Sequence, residues 1–204
     1  HELDFSHELA DALTVALTFG DTFTDLVNNK PITVVGDTKL THAGALFDET
    51  GDYLTLPNHT FNSDYSITWL NDYTDNAGAL FQYFLSFGPS GAIDTISLFL
   101  VENDNATPDF IRCLSDGTVL SEVLDSNILY PSLNNLPMTL AVASRNAELI
   151  VDGNSNNVNS TFGVTAMANG TTRTLAVGTR FDLDPNRFFG GTMRFLFVHD
   201  KQLS

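Results

Sequence analysis

The sequence predicts an all-β protein folded as a two-sheet antiparallel β-sandwich, and three observations lead to that prediction. Short apolar runs recur along the 204-residue chain, and segments rich in Gly, Asp, Asn and Pro separate them. Many of the runs alternate apolar with polar side chains, which is the period of a strand with one buried face. Helical periodicity is almost absent, so the strands must cover one another in two stacked layers.

Length and composition favour one domain. With 43% hydrophobic residues, a chain of this length buries a sizeable core, and all-β sandwiches of this size are common. We expect residues 13–204 to form this domain, and residues 1–12 to form an N-terminal arm or a short helical turn. No run approaches the roughly 20 apolar residues that a bilayer span needs, and no basic-then-apolar leader is present. We therefore expect a soluble, mature chain.

The charge excludes two classes of partner. Nine Lys and Arg against twenty-five Asp and Glu give a formal net charge of −16. Such a chain repels phosphate backbones and anionic lipid surfaces, so neither nucleic-acid binding nor membrane insertion is expected. Cys113 is the single cysteine, which rules out an internal disulfide. Its apolar neighbours favour a buried packing role over a nucleophilic one.

The last quarter of the chain predicts a central strand. Two apolar runs, 174–178 and 192–198, flank a polar loop that ends at Gly190 and Gly191, and this reads as strand, loop, strand. Alternation along the second run puts Met193, Phe195 and Phe197 on one face and Arg194, Leu196 and Val198 on the other. Because both faces are largely apolar, we expect this strand to lie inside the sandwich with the other strands assembled around it.

The same stretch carries a resemblance to a known family. "LAVG" followed by "FFGGTMRFLFVHDKQLS" resembles the closing signature of the concanavalin A-like, laminin G-like jelly-roll modules. The segments "TFTD" at 22–25 and "ALFDETGDYLTLP" at 45–57 resemble their opening, and the hairpin over 138–153 resembles their middle. The resemblance covers nearly the whole chain and implies a concanavalin A-like jelly roll, a fold that hosts many functions.

Two departures from the family pattern bear on function. Pro137-Met138 replaces the usual aromatic residue before the first strand of the hairpin, and Thr192-Met193 stands where an Asp-Glu pair is common. The second departure removes any polar role of that pair. Trp69, the single tryptophan, lies on an alternating run, so we expect it to pack in the core rather than to serve as a sugar-stacking platform.

No catalytic signature is present, so the chain is not predicted to be an enzyme. Glycoside hydrolases on this fold carry Glu-x-Asp-x-Glu on one strand, because alternate side chains point into one cleft. None of the six glutamates forms such a triplet. The pairs Glu102/Asp104 and Asp182/Asp184 lie in polar segments that read as loops. The histidines lack metal or base spacing, and no Ser/His/Asp or Cys/His arrangement appears.

Calcium is the one ion for which the sequence offers ligands, and no other cofactor is indicated. Calcium takes six to eight oxygens from carboxylates, amides and carbonyls. Asp182, Asp184 and Asn186 provide such oxygens in one loop and are the first candidates for a metal site. A second group of oxygen ligands is Asp152, Asn154, Asn156 and Asn157. The resemblance also implies calcium, because many modules of this superfamily hold the ion beside their ligand-binding edge.

The resemblance implies a non-catalytic, lectin-like module for recognition or adhesion, on an extracellular or virion surface. We expect it to bind glycan through the edge loops 71–78, 102–108, 152–160 and 182–189. The candidate ligand-binding residues are Asp72, Asp75, Asn103, Asp104, Asn154, Asn156 and Arg187. One alternative is a structural virion component, capsid-decorating or tail-associated, that acts by contacts with neighbouring subunits or copies of itself without binding sugar. A polysaccharide-cleaving enzyme is the least favoured alternative.

Overall fold

The computed structural model describes most of the chain. The described residues are Ser6 and the ranges 10–20, 22–48, 50–60, 64–73, 81–88, 96–101, 110–115, 118–122, 137–143, 146–151, 154–161, 172–180 and 188–203. Their regular secondary structure consists of strands. This part of the chain holds no helix long and apolar enough to cross a membrane.

The larger sheet contains ten strands among the described residues. Its hydrogen-bonded order is β15-β14-β13-β8-β17-β1-β2-β3, with β6 also paired to β17 and β5 paired to β6. The strands are β1 (Leu13–Thr18), β2 (Thr24–Asp25), β3 (Lys30–Pro31), β5 (Lys39–Thr41), β6 (Gly44–Asp48), β8 (Tyr65–Tyr73), β13 (Met138–Ala143), β14 (Asn146–Val151), β15 (Asn154–Thr161) and β17 (Gly190–His199).

The smaller sheet contains seven strands among the described residues, in the order β12-β11-β10-β9-β16-β7-β4. The strands are β4 (Thr33–Val35), β7 (Tyr53–Thr60), β9 (Phe81–Phe87), β10 (Ile96–Val101), β11 (Phe110–Ser115), β12 (Thr118–Glu122) and β16 (Thr172–Val177). Neighbouring strands in both sheets run antiparallel. The predicted two-sheet antiparallel sandwich is therefore confirmed.

The core lies between the two sheets and is rich in aromatic rings. Trp69 of β8 is fully buried, and its ring centre lies 6.1 Å from that of Phe84 on β9. Phe189, just before β17, packs edge-on against both Phe84 and Phe47, at 5.3 and 5.6 Å. Edge-on aromatic pairs of this kind add to the free energy gained from burying their area. The prediction that Trp69 packs in the core is confirmed.

β17 is the central strand, as predicted, but the assignment of its two faces was wrong. It lies between β8 and β1 and also pairs with β6. The register with β8 shifts between Met193 and Phe195, because a β-bulge inserts one extra residue. Met193 therefore shares the buried face with Leu196 and Val198. Phe195 and Phe197 lie half-buried on the outer face, with their rings stacked 4.9 Å apart.

The two ends of β17 define two poles of the sandwich. At its last residue, His199 pairs with Leu13 of β1, and the amide of Asp200 donates to the carbonyl of Ala12. Lys201 also contacts the Asp11 carboxylate at 3.1 Å. We call this end the terminal pole. The opposite end, where β17 begins at Gly190, is the loop pole. A strand of ten residues separates the two poles by about 33 Å.

The hairpin expected over 138–153 is present. β13 and β14 pair from Met138–Val151 to Ala143–Asn146, and the two residues between the strands, 144–145, lie outside the described residues. β11 and β12 pair around residues 116–117, which lie outside the described residues. Cys113 pairs with Leu98 and Ser121 within the smaller sheet. The structure describes only the backbone of this cysteine, so its buried packing role stays a prediction.

Acidification is expected to destabilise the fold through His59 on β7. Its side chain is 7% exposed and stands edge-on to Phe87, at 6.1 Å. Burial lowers the pKa of His59 to about 4, against the opposing attraction of Asp25. Between pH 6.5 and 4 the unfolded chain binds a proton that the folded chain excludes, so stability falls as the pH falls. The loss approaches about 3 kcal/mol near pH 4.

Urea titrations of the wild-type protein and of His59→Gln at several pH values measure this effect. Because glutamine does not titrate, the free energy of unfolding of His59→Gln should depend less steeply on pH over that window. The exposed His42, changed to Gln, serves as the matched control and should keep the wild-type slope. Equal slopes for the wild type and His59→Gln would show that the buried imidazole is not the source.

Candidate functional site

The loop pole gathers the ends of strands from both sheets. β16 ends and β17 begins there, and the amide of Phe189 donates to the carbonyl of Gly178 at 2.8 Å. The amide of Gly190 donates to Oε1 of the buried Gln82 at 2.8 Å, which joins the start of β17 to the start of β9. Hydrogen bonds between the two sheets thus hold the base of this pole.

The registers show that three of the proposed loops leave from this same pole. Tyr73 at the end of β8 pairs with Gly191 at the start of β17, so the chain enters the segment 74–80 beside the point where it leaves the segment 181–187. Val101 pairs with Phe81 and with Phe110, which places both ends of the segment 102–109 there too. β14 does not reach this pole, because its last residue, Val151, pairs with Met138, which is level with Trp69 and Leu196 near the middle of β8 and β17.

One candidate ligand-binding residue is described with its side chain. Asp72 lies on β8 opposite Thr192 of β17 and is half-buried on the outer face of the ten-stranded sheet. It was predicted to lie in a loop, but β8 continues through Tyr73. The strand is longer because its last residues pair with the start of β17.

Residues 154–160 of the predicted loop 152–160 lie on a strand, so this part of the prediction was wrong. Residues 154–161 form β15, the edge strand of the larger sheet. Asn154 pairs with Val151 and Asn156 with Leu149, so both candidates are strand residues. An Asn-rich run has low strand propensity, and pairing with β14 overrides that propensity. β15 begins opposite Val151, level with the middle of β8, and leads away from the loop pole.

The remaining candidates lie outside the described residues. They are Asp75, Asn103, Asp104 and Arg187 for ligand binding, and Asp182, Asp184 and Asn186 for the metal. Of the second group of oxygen ligands, Asp152 also lies outside the described residues, whereas Asn157 lies on β15. The described strand ends nevertheless bring the segments that carry Asp75, Asn103, Asp104, Asp182, Asp184, Asn186 and Arg187 to one pole.

A carboxylate cluster at the loop pole was not predicted. Carboxylate oxygens of Asp37, Asp48 and Asp52 all lie within 4.8 Å of one another. The three residues are 15 positions apart in sequence at most, and the β5–β6 hairpin folds the chain so that they meet. Asp52 is buried, whereas Asp37 and Asp48 are exposed. The signal available in the sequence was the "FDETGD" turn, which holds two of the three.

Hydrogen bonds within the protein engage these carboxylates. The amides of Asp37 and Asp48 donate to the two oxygens of Asp52, at 2.7 and 3.2 Å. The amide and hydroxyl of Thr50 donate to Oδ1 of Asp48, at 2.8 and 2.7 Å. Lys39 contacts Asp37 at 3.0 Å. The cluster thus fastens the turns between β4 and β7, and these bonds account for its geometry without a bound cation.

The surroundings of Asp48 and Asp52 shift the pKa values of the two carboxyl groups in opposite directions. The hydrogen bonds from Thr50 lower the pKa of Asp48. Burial raises the pKa of Asp52, with the nearby Asp48 charge adding to the shift. Opposite shifts are typical of an acid and base pair in an active site. Here, however, the carboxyl group with the raised pKa, that of Asp52, is buried and accepts hydrogen bonds from two backbone amides. Its oxygens are therefore already used in stabilising the turn.

A second feature that sequence reasoning missed is the pair of Tyr83 and Arg180. The guanidinium carbon of Arg180 lies 5.8 Å from the centre of the Tyr83 ring, within the range of a cation–π contact. The Ser86 hydroxyl donates to the carbonyl of Thr179 at 3.3 Å, which fixes the chain just before this arginine. Tyr83 is buried and Arg180 is half-buried. The pair places a cation at the base of the segment 181–187.

Comparisons with known proteins find similarity in structure alone. No protein-family model matches the sequence. No curated protein matches it either. Domain 4 of AbnA, a GH43 extracellular arabinanase from Geobacillus stearothermophilus solved in complex with arabinotriose, has a TM-score of 0.70 at 15% identity. The alignment covers 94% of each chain.

Two further structures share the fold. A sialidase from Trypanosoma rangeli, solved as a covalent intermediate with 2,3-difluorosialic acid, has a TM-score of 0.65 at 16% identity. This similarity covers 95% of the present chain but 31% of the sialidase. The Ca²⁺-bound exoplasmic/lumenal domain of VIP36 has a TM-score of 0.55 at 13% identity, covering 95% and 93% of the two chains. At these identities the likeness shows the fold alone, a two-sheet jelly roll, as the sequence predicted.

Proposed function

We propose that the chain is a non-catalytic module that binds glycan at its loop pole and serves recognition or adhesion on a cell or virion surface. One observation carries the proposal: the polar loop segments leave both sheets at a single pole. Loops held on a rigid scaffold are where binding residues concentrate. The scaffold here includes the bond from the Gly190 amide to Gln82, which joins the two sheets.

The separation of the poles supports a recognition role. β1 and the end of β17 are fastened together at the terminal pole, about 33 Å from the loop pole. A ligand held at the loop pole therefore does not disturb the residues around Leu13 and His199. The segments 74–80, 102–109 and 181–187, which leave the loop pole, are rich in polar and acidic residues, and this composition suits the hydroxyl-rich and mostly uncharged surface of a neutral glycan. A net charge of −16 disfavours polyanionic glycans.

The structural neighbours support a carbohydrate as the ligand. The arabinanase domain was solved with arabinotriose, and the VIP36 domain was also solved in a Ca²⁺/Man2-bound form with a TM-score of 0.53. Those sugars are ligands of the arabinanase domain and of VIP36, and a sugar ligand for the present chain is part of the proposal. Because the present chain spans 94% of the arabinanase domain, the comparison is between whole domains. The similarity to the sialidase covers a smaller part of that enzyme, so its activity carries less weight.

Two observations favour a non-catalytic role. Within the part of the chain that the structure describes, the clustered carboxylates of Asp37, Asp48 and Asp52 are engaged by backbone amides, Thr50 and Lys39. A glycosidase needs one carboxyl free to protonate the leaving oxygen and another free to attack or to activate water. The Glu-x-Asp-x-Glu strand of glycosidases with this fold is also missing from the sequence.

The proposal includes calcium as an ion that orders the binding loop. Asp182, Asp184 and Asn186 would supply carboxylate and amide oxygens, which calcium prefers. Their segment begins after Arg180 and ends before Phe188, so both of its ends lie at the loop pole. Calcium there would fix the loop against the start of β17 and reduce the entropy lost when a glycan binds.

A glycan array probed with and without calcium tests this function. We expect binding to a subset of neutral glycans, weakened at least about 10-fold when calcium is chelated. The double variant Asp182→Asn/Asp184→Asn should show the weak binding even with calcium present. Asp11→Asn, at the terminal pole, is the matched control and should bind as the wild type does. Flat profiles in both conditions would remove the glycan proposal and leave assembly through subunit contacts as the better account.

A further inference from the structure

Two buried polar groups on β8 have no hydrogen-bond partner. The indole Nε1 of Trp69 and the amide Oδ1 of Asn71 are both shielded from solvent and unpaired. Trp69 is 0% exposed and Asn71 is 3% exposed. Burying one such group without a partner is costly, and native proteins rarely leave any unexplained. Two on the same strand point to a missing third group that satisfies both.

The positions of the two residues place their side chains side by side. They are two apart on one strand, so both project from the same face of the sheet, towards the core. Cross-strand neighbours on that face are apolar: Leu196 and Met138 flank Trp69, and Met193 lies opposite Asn71. None of these three side chains can accept a hydrogen bond from the indole as a neutral oxygen would.

The chemistry of the two atoms defines the ligand. The indole N–H only donates, and the amide oxygen only accepts. A molecule that satisfies both must accept one hydrogen bond and donate another through a small, uncharged group. Residues two apart on a strand are about 6.6 Å apart along the chain, and one oxygen with two hydrogen bonds bridges roughly 5 Å. The neutral O–H group of a water molecule both accepts and donates a hydrogen bond and therefore fits this description. A charged ion does not fit it.

We propose that Trp69 and Asn71 hold one internal water molecule between the sheets, beneath the loop pole. The water accepts from Nε1 of Trp69 and donates to Oδ1 of Asn71. Buried waters of this kind typically bind polar groups that would otherwise stay unpaired. Asn71 immediately precedes Asp72 and the end of β8, so the water fixes the strand from which the segment 74–80 leaves. This inference does not depend on the proposed glycan function.

Nuclear magnetic resonance provides a sharp test, because Trp69 is the single tryptophan and gives one indole N–H signal. We expect a rotating-frame Overhauser cross-peak between the indole proton and water, with the sign of direct contact rather than of chemical exchange. An indole that is fully buried cannot show such contact with bulk solvent. Absence of the cross-peak would overturn the proposal.

Substitutions at Asn71 complete the test. Asn71→Leu fills the space with an apolar side chain and should abolish the cross-peak. Asn71→Ser keeps a hydrogen-bonding oxygen and leaves more room, so it should retain the peak even if the leucine variant does not fold. Thr192→Val, on the adjacent strand with its side chain on the outer face, is the control and should also retain it. Loss of the peak in the control or in Asn71→Ser would contradict a water held by these two residues.

A crystal structure of the full chain at about 1.5 Å resolution gives an independent readout. The expected result is an ordered water within 3.5 Å of both Nε1 of Trp69 and Oδ1 of Asn71. Two other results would overturn the inference. One is a dry space between the two atoms, and the other is a protein group bonded to either of them.

Discussion

Replacing Gly44 with alanine is expected to lower the free energy of unfolding by roughly 3–5 kcal/mol. Gly44 begins β6 with a φ of +135°, a conformation that residues with a side chain rarely adopt. A Cβ at this position would lie against the carbonyl of Met193, 2.8 Å from its carbon atom, and 3.0 Å from the Cα of Arg194. Both atoms belong to the backbone of the central strand, so neither can rotate away as a flexible side chain would.

Two other glycines separate the causes of this loss. A Cβ on Gly20 would have no atom within 4 Å, so Gly20→Ala should change stability by less than about 0.5 kcal/mol. Gly51 has a φ of +88° but also open space, so Gly51→Ala reports strain alone, about 1 kcal/mol. Urea unfolding of the three variants measures the series. Equal losses for Gly44→Ala and Gly51→Ala would show that β6 does not approach the central strand as closely as described.

Asp25→Ala is expected to cost about 4 kcal/mol, because Asp25 is fully buried and holds the turn after β2. Its Oδ1 accepts the amides of Ala16 and Val27, at 3.0 and 3.1 Å, and its Oδ2 accepts the side-chain amide of Asn28 at 2.6 Å. Alanine leaves those donors without an acceptor, and the bond with Ala16 lies in a buried part of β1. Hydrogen bonds to a charged group are worth more than neutral ones.

Thermal and urea unfolding of Asp25→Ala test this expectation against a matched acidic residue. The carboxylate of Asp11 contacts Lys201 at 3.1 Å, and its side chain is 81% exposed. A surface ion pair contributes little, so Asp11→Ala should cost no more than about 1 kcal/mol. Similar losses in both variants would mean that burial does not distinguish them. The role assigned to Asp25 would then be wrong.

The sequence predicted the layers of the fold because alternation and turn signals are local. Trp69 on an alternating run indicated a core position, and it is fully buried. The apolar run at 192–198 indicated the central strand, and β17 occupies that position. The faces of this strand could not be predicted, because the bulge at Arg194 depends on pairing with β8 and leaves no clear mark in composition.

The candidate site was predicted in part, for a similar reason. Loop segments could be found from composition, and the described strand ends bring three of them, 74–80, 102–109 and 181–187, to one pole. The Asn-rich run at 154–161 resembled a loop because its strand character comes from its neighbour β14 rather than from its own residues. The contact between Arg180 and Tyr83 depends on tertiary folding between residues far apart in sequence, which no local pattern encodes. The cluster around Asp52 likewise needs the fold to bring Asp37 to the other two carboxylates.

Mapping a bound glycan onto the backbone by nuclear magnetic resonance is the most direct test of the loop pole as the binding surface. The ligand is the glycan that scores highest on the array, titrated into isotope-labelled protein with calcium. The account predicts that amide signals of Asp72, Arg180 and Thr192 shift, while those of Leu13 and His199 at the terminal pole, about 33 Å away, stay unchanged. Shifts confined to the terminal pole, or to the outer face around Phe197, would contradict it.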